Sequence, residues 1–140
     1  MTNRIALASA LALSLVGTSA YAADVAAAEC GALDELYRTA KSDFPTLRDK
    51  QFGGGVCKYR SRDFTCAWGF GTDHYADAQD QLKRLKICTA AQPNVRQLTD
   101  KKSVATFQLN PETQALMRGP NPENGHWTIE LKVTTTSDWK

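Results

Sequence analysis

The chain has 140 residues, with 17 basic and 15 acidic side chains, two histidines and four cysteines. A formal charge of +2 sets up no strong field, which argues against nucleic-acid binding through overall charge. A chain of this length suits one compact domain and leaves little room for a second core.

The first predicted element is a targeting segment. Arg4 makes a short positive region, Ile5 to Val16 is small and apolar apart from Ser9 and Ser14, and Ala20-Tyr21-Ala22 fits a small-residue cleavage site. Residues 1–22 therefore read as a secretory signal peptide. The run is shorter than the roughly 20 apolar residues a bilayer span needs. Cys30 follows Glu29 rather than a small residue, so no stable membrane or lipid anchor is expected. Cleavage removes one cation, Arg4, and leaves 16 basic and 15 acidic residues, a net charge of +1. The expected product is periplasmic or secreted, a single domain over 23–136 with a loose tail at 137–140.

An even number of cysteines in an exported chain points to two disulfides among Cys30, Cys57, Cys66 and Cys88. Their spacings of 27, 9 and 22 positions contain no C-x-x-C pair, which argues against a zinc site, and no cofactor is implied.

The mature chain opens with a small-residue leader, Ala23 to Ala28, in which Asp24 is a candidate helix cap. From Cys30, Leu33, Leu36, Tyr37, Ala40 and Phe44 recur at helical spacing, and Pro45 ends the helix because the residue before a proline leaves the α region. Gly53-Gly54-Gly55 then leads into a hairpin. A two-residue loop at Ser61-Arg62 sets Tyr59 opposite Phe64 and Cys57 opposite Cys66, so Cys57, Tyr59, Phe64, Cys66, Trp68 and Phe70 share one face. Lys58, Arg60, Asp63, Thr65 and Gly69 share the other. A buried face and a wet face suit an antiparallel sheet covered on one side.

Thr72 or Asp73 is the candidate cap of a second helix running to about Ala91, with Tyr75, Ala78, Leu82, Leu85 and Cys88 or Thr89 as its stripe. A strand follows at about Ser103 to Leu109, with Ala105, Phe107 and Leu109 on one face. A short strand around Gln114 to Arg118 is an open choice against a helical turn at Pro111. Gly119 to Gly125 is rich in breakers and reads as a loop. The last strand alternates Trp127, Ile129, Leu131 and Val133 with polar residues. The expected fold is α+β: two helices packed on one face of a four- or five-stranded antiparallel sheet, in the order α-β-β-α-β-β(-β), stapled by disulfides.

Three disulfide pairings are open. Cys30–Cys57 with Cys66–Cys88 is favoured on loop entropy, because each bond closes a loop of roughly twenty to thirty residues worth about 3–4 kcal/mol. A Cys57–Cys66 bond closes only a short loop that strand pairing already holds.

No nucleophile elbow, zinc-protease helix, calcium loop or phosphate loop is present. His74 and His126 are the only candidates for acid–base work, with a carboxylate such as Glu130 as partner, and both are expected on wet surfaces. Arg48, Lys50, Lys58, Arg60 and Arg62 surround the hairpin. Among them Lys58, Arg60 and Arg62 form the candidate binding patch, set against the plainer reading of edge-protecting charge. The functional expectation is a small exported disulfide-bonded binding module of the periplasm or cell envelope, such as an inhibitor, an immunity-type or an accessory protein, partnered by an envelope or secreted protein. The alternative is a small secreted hydrolase or nuclease using His126 or His74 with a carboxylate.

Overall fold

Six strands form one antiparallel sheet, most of them alternating apolar and polar side chains, with two helices across its apolar face, in a computed structural model that describes residues 30–136. The expected signal peptide, the leader, the Asp24 cap and the tail lie outside the described residues. The elements are helix α1 (Gly31–Ser42), a 3-10 turn (Phe44–Leu47), strands β1 (Val56–Tyr59) and β2 (Asp63–Phe70), helix α2 (Tyr75–Ala90), and strands β3 (Arg96–Lys101), β4 (Val104–Asn110), β5 (Thr113–Glu123) and β6 (His126–Thr135). The sheet order is β1-β2-β6-β5-β4-β3.

Each helix follows its stripe. In α1, Leu33, Leu36, Tyr37 and Ala40 are buried, and the chain breaks at Asp43 before Pro45 opens the 3-10 turn. In α2, Ala78, Leu82, Leu85, Cys88 and Thr89 are buried. Tyr75, expected in that stripe, is instead 39% exposed and meets Trp127 edge-on at 4.6 Å between ring centroids. His74, not Thr72 or Asp73, is the N-cap residue, and the Thr72 hydroxyl donates instead to the Gly125 carbonyl.

The hairpin forms in the expected register, with Cys57 opposite Cys66 and Tyr59 opposite Phe64. Its apolar face continues across the sheet: Phe64 faces Val133, Val133 faces Ala115 and Ala115 faces Phe107. One row along, Cys66, Leu131, Met117 and Ala105 line up in the same way. These residues join those of both helices in one buried cluster. Each fully buried side chain of this size contributes about 1.5–3 kcal/mol.

One added strand and one lengthened strand enlarge the sheet beyond the four or five strands expected. Arg96–Lys101 pairs with β4 although all six of its residues are exposed, so no apolar alternation announces it. The sequence Gly119 to Glu123, expected as loop, instead extends β5 to Glu123, past a register shift between Arg118 and Asn121. Gly119 makes this possible: its φ is +123°, and a Cβ there would meet the Thr128 carbonyl oxygen at 2.5 Å.

The disulfides are Cys30–Cys88 and Cys57–Cys66, which corrects the favoured pairing. Register decides it. Cys57 and Cys66 sit directly opposite on one face with Cα atoms 4.1 Å apart, at the close end of disulfide spacing, and this leaves Cys30 to join the two helices at 5.3 Å. Loop entropy acts on the unfolded chain, whereas native geometry selects which bonds exist.

The turn into the hairpin is built on Trp68. Its indole N–H donates to the Gly53 carbonyl at 2.8 Å, and a Cβ on Gly55 would come within 2.8 Å of the ring. Gly53 and Gly55 thus let backbone lie close against an aromatic side chain.

Candidate functional site

The helices cover only one face of the sheet. On the other, register aligns Lys58, Thr65, Lys132, Leu116 and Thr106 in a row across five strands. The neighbouring row holds Val56, Ala67, Glu130, Arg118 and Val104. Arg60 stands opposite Asp63 at the hairpin end, where its N–H donates to the Asp63 carbonyl at 2.7 Å. Lys58 and Arg60 are exposed and Lys132 is half-buried.

Charge on this face is unevenly matched. Glu130 is held by Arg118, whose Nε and Nη2 both donate to Oε1 at 2.9 and 2.8 Å, so the pair adds no net charge. Lys58, Arg60 and Lys132 have no side-chain partner among the described residues. Strands lie about 4.8 Å apart, so Lys58 and Lys132 flank Thr65 at roughly 10 Å from one another. Asp63, opposite Arg60, offsets one of these three cations, and the result is a local positive zone over β1, β2 and β6.

The basic residues around the hairpin are divided between two sides. Lys58 and Arg60 face the open side. Arg48 lies over the Tyr59 ring at 5.4 Å, on the helix side of the sheet, and Lys50 lies 3.9 Å from Glu35. Arg62, at the hairpin tip, accepts the Thr135 N–H on its carbonyl at 2.9 Å and is engaged with its surroundings. Lys132, not among the candidate residues, shares the open face with Lys58. Its alternation with Leu131 and Val133 put it on the wet face, but only the β2–β6 pairing brings it beside Thr65.

The loops bearing the two histidines are tied together: Trp127 Nε1 donates to the Thr72 carbonyl at 3.0 Å, and Thr72 to the Gly125 carbonyl. His74 Nδ1 lies 2.7 Å from Asp77 Oδ2. Both side chains are about 60% exposed, on the first turn of α2. The Glu130 carboxylate expected to serve His126 is instead committed to Arg118, and His126 faces Glu123 across the β5–β6 hairpin. Among the described residues, no group of three His, Cys, Asp or Glu side chains is arranged to hold a metal ion. No described helix is long and apolar enough to cross a membrane.

A groove of about 1030 Å³ runs between α1 and the end of α2, bordered by Cys30, Asp34, Arg38, Lys41, Ile87 and Pro93. Two hydrogen bonds cross it. The Gln92 amide donates to Asp34, and Lys41 donates to the Pro93 carbonyl at 3.4 Å, with partial burial lowering the Lys41 pKa. It lies over the helices, on the side of the molecule away from the open sheet face.

No family model, curated protein or solved structure matches the chain.

Proposed function

We propose that the chain is a small exported, disulfide-bonded binding module of the periplasm or cell envelope, an inhibitor, immunity-type or accessory protein, that docks an acidic surface of another protein. One observation carries this reading: among the described residues the uncovered sheet face sets Lys58, Arg60 and Lys132 together, and Asp63 opposite Arg60 offsets only one of these three cations. Such a zone raises the encounter rate with an acidic partner and selects against basic ones. Both disulfides fit an oxidising compartment, in which a domain of this size gains most from covalent ties.

The test is capture from envelope extract with the purified domain, beside the triple variant Lys58→Glu, Arg60→Glu, Lys132→Glu. A partner retained by the first and lost by the second supports the reading. Equal capture by both removes the basic face from the account.

The alternative, a small hydrolase using His126 or His74 with a carboxylate, draws on the His74–Asp77 contact alone. That contact is open to water and spans the first turn of a helix, where it serves as a surface i, i+3 pair as readily as a catalytic one.

A further inference from the structure

A sheet has two edges, and here they differ. Along β3 the register slips between Gln97 and Thr99, leaving Leu98 out of the ladder. That edge is also pinned: Lys86 Nζ donates to Asp100 and to the Lys101 carbonyl, both at 2.9 Å, and holds the Asp100 carboxyl below its usual pKa. A bulge and a bonded carbonyl leave a poor template for a further strand.

The β1 edge is regular. Its four residues pair with β2 without a slip, and no main-chain group bonds its outer side among the described residues. The direction of each peptide group follows from one bond. Arg60 N–H points into the hairpin, toward the Asp63 carbonyl. Main-chain groups alternate with period two, so those of Lys58 and Val56 also point at β2, and those of Cys57 and Tyr59 point outward. The 4.1 Å Cα separation of Cys57 and Cys66 agrees, since the closer spacing belongs to the pair that exchanges no main-chain hydrogen bonds. Two donors and two acceptors therefore face away from the sheet in strand geometry.

The Cys57–Cys66 bond gives this edge its second property. A four-residue edge strand frays easily, but one tied covalently to β2 at its second residue is already formed when a partner arrives. Its side chains specify the partner. Val56 is 68% exposed, and with Lys58 and Arg60 it lines the open face at alternate positions. A second copy of this chain pairing there brings cation against cation. A strand with an apolar residue opposite Val56 and acidic residues opposite Lys58 and Arg60 meets complementary groups instead.

We infer that β1 is a docking edge at which an extended acidic segment of a partner protein adds as a further antiparallel strand. The inference rests on the binding-module reading and narrows it from the whole basic face to one strand.

The probe is a short synthetic peptide alternating glutamate with threonine and ending in valine, titrated against the oxidised domain. Three comparisons accompany it: the same peptide N-methylated at alternate residues in each of the two phases, Lys58→Glu with Arg60→Glu, and Lys132→Glu. The parent peptide binds, and amide exchange at Cys57 and Tyr59 slows while that at Lys58 does not change. One phase of N-methylation and the Lys58/Arg60 reversal each weaken binding by about tenfold or more, and Lys132→Glu has little effect. Equal binding in both N-methylated phases, or loss through Lys132 in place of Lys58 and Arg60, overturns the edge and leaves docking on the face. Failure of the parent peptide to bind also overturns it, while capture from extract still decides the wider reading. The substituted side chains are exposed or half-buried, and an unchanged melting temperature for each variant confirms that the fold is intact.

Discussion

Tyr37 on α1 and Thr89 on α2 meet through a buried hydrogen bond of 2.6 Å between their hydroxyls, 52 positions apart in sequence. The Thr89 proton is already given to the Leu85 carbonyl at 2.6 Å, so Tyr37 is the donor and Thr89 Oγ1 the acceptor. This bond stands one residue from Cys88, and together they join the helices by a covalent and a polar tie.

Removing the donor leaves a buried acceptor lone pair unmet. Tyr37→Phe is expected to cost about 1–2 kcal/mol. Thr89→Val in the same background is expected to cost less than it does alone. A double-mutant cycle by urea denaturation measures the coupling, and strictly additive effects contradict the assigned bond.

The same phenol makes stability fall in alkali. Burial, aided by the charge of Asp34, raises the Tyr37 pKa far above its ordinary value, with the Thr89 bond acting the other way. The unfolded chain releases this proton near pH 10, whereas the folded one retains it. Above that pH the unfolded state binds fewer protons, so the contribution is whole below about pH 10 and is lost as pH rises beyond it. Phenolate absorbance is expected to show the Tyr37 step only together with unfolding, and Tyr37→Phe is expected to shift that transition to higher pH.

The two disulfides are unequal in stability. Cys30–Cys88 spans 58 positions and contributes about 4 kcal/mol in the chain-entropy account, while Cys57–Cys66 spans 9 and contributes less than about 3. Strand pairing reduces the second further. Paired substitutions to alanine, followed by guanidinium denaturation, are expected to rank the helix tie well above the hairpin tie. The reverse order contradicts this assignment of roles.

Two single changes test the sheet. Ile129→Asp places an unpaired charge at a position with no solvent exposure and is expected to cost several kcal/mol. Gly119→Ala drives a methyl group into the Thr128 carbonyl at a backbone angle L-residues avoid, and is expected to cost more than about 2 kcal/mol. A melting temperature unchanged by Ile129→Asp contradicts its place on the covered face.

By itself the sequence determined what is local. Side-chain alternation assigned the faces of β2, β4 and β6, a two-residue loop set the register of the hairpin, and apolar spacing marked the buried residues of both helices. These follow from the period of the chain's own geometry, which every few residues repeats. Tertiary structure alone decided what depends on distant partners. Strand β3 has no buried face to alternate, and its existence rests on pairing with β4. The Gly119 to Glu123 stretch is extended because β6 holds it, against the turn preference of its own glycine and prolines. The placing of β6 between β2 and β5 brought Lys132 to Lys58 and paired Glu130 with Arg118, which made the open face locally positive. Disulfide pairing obeyed the same rule: loop lengths can be counted along a chain, but a bond forms between the sulfurs that the finished register sets face to face.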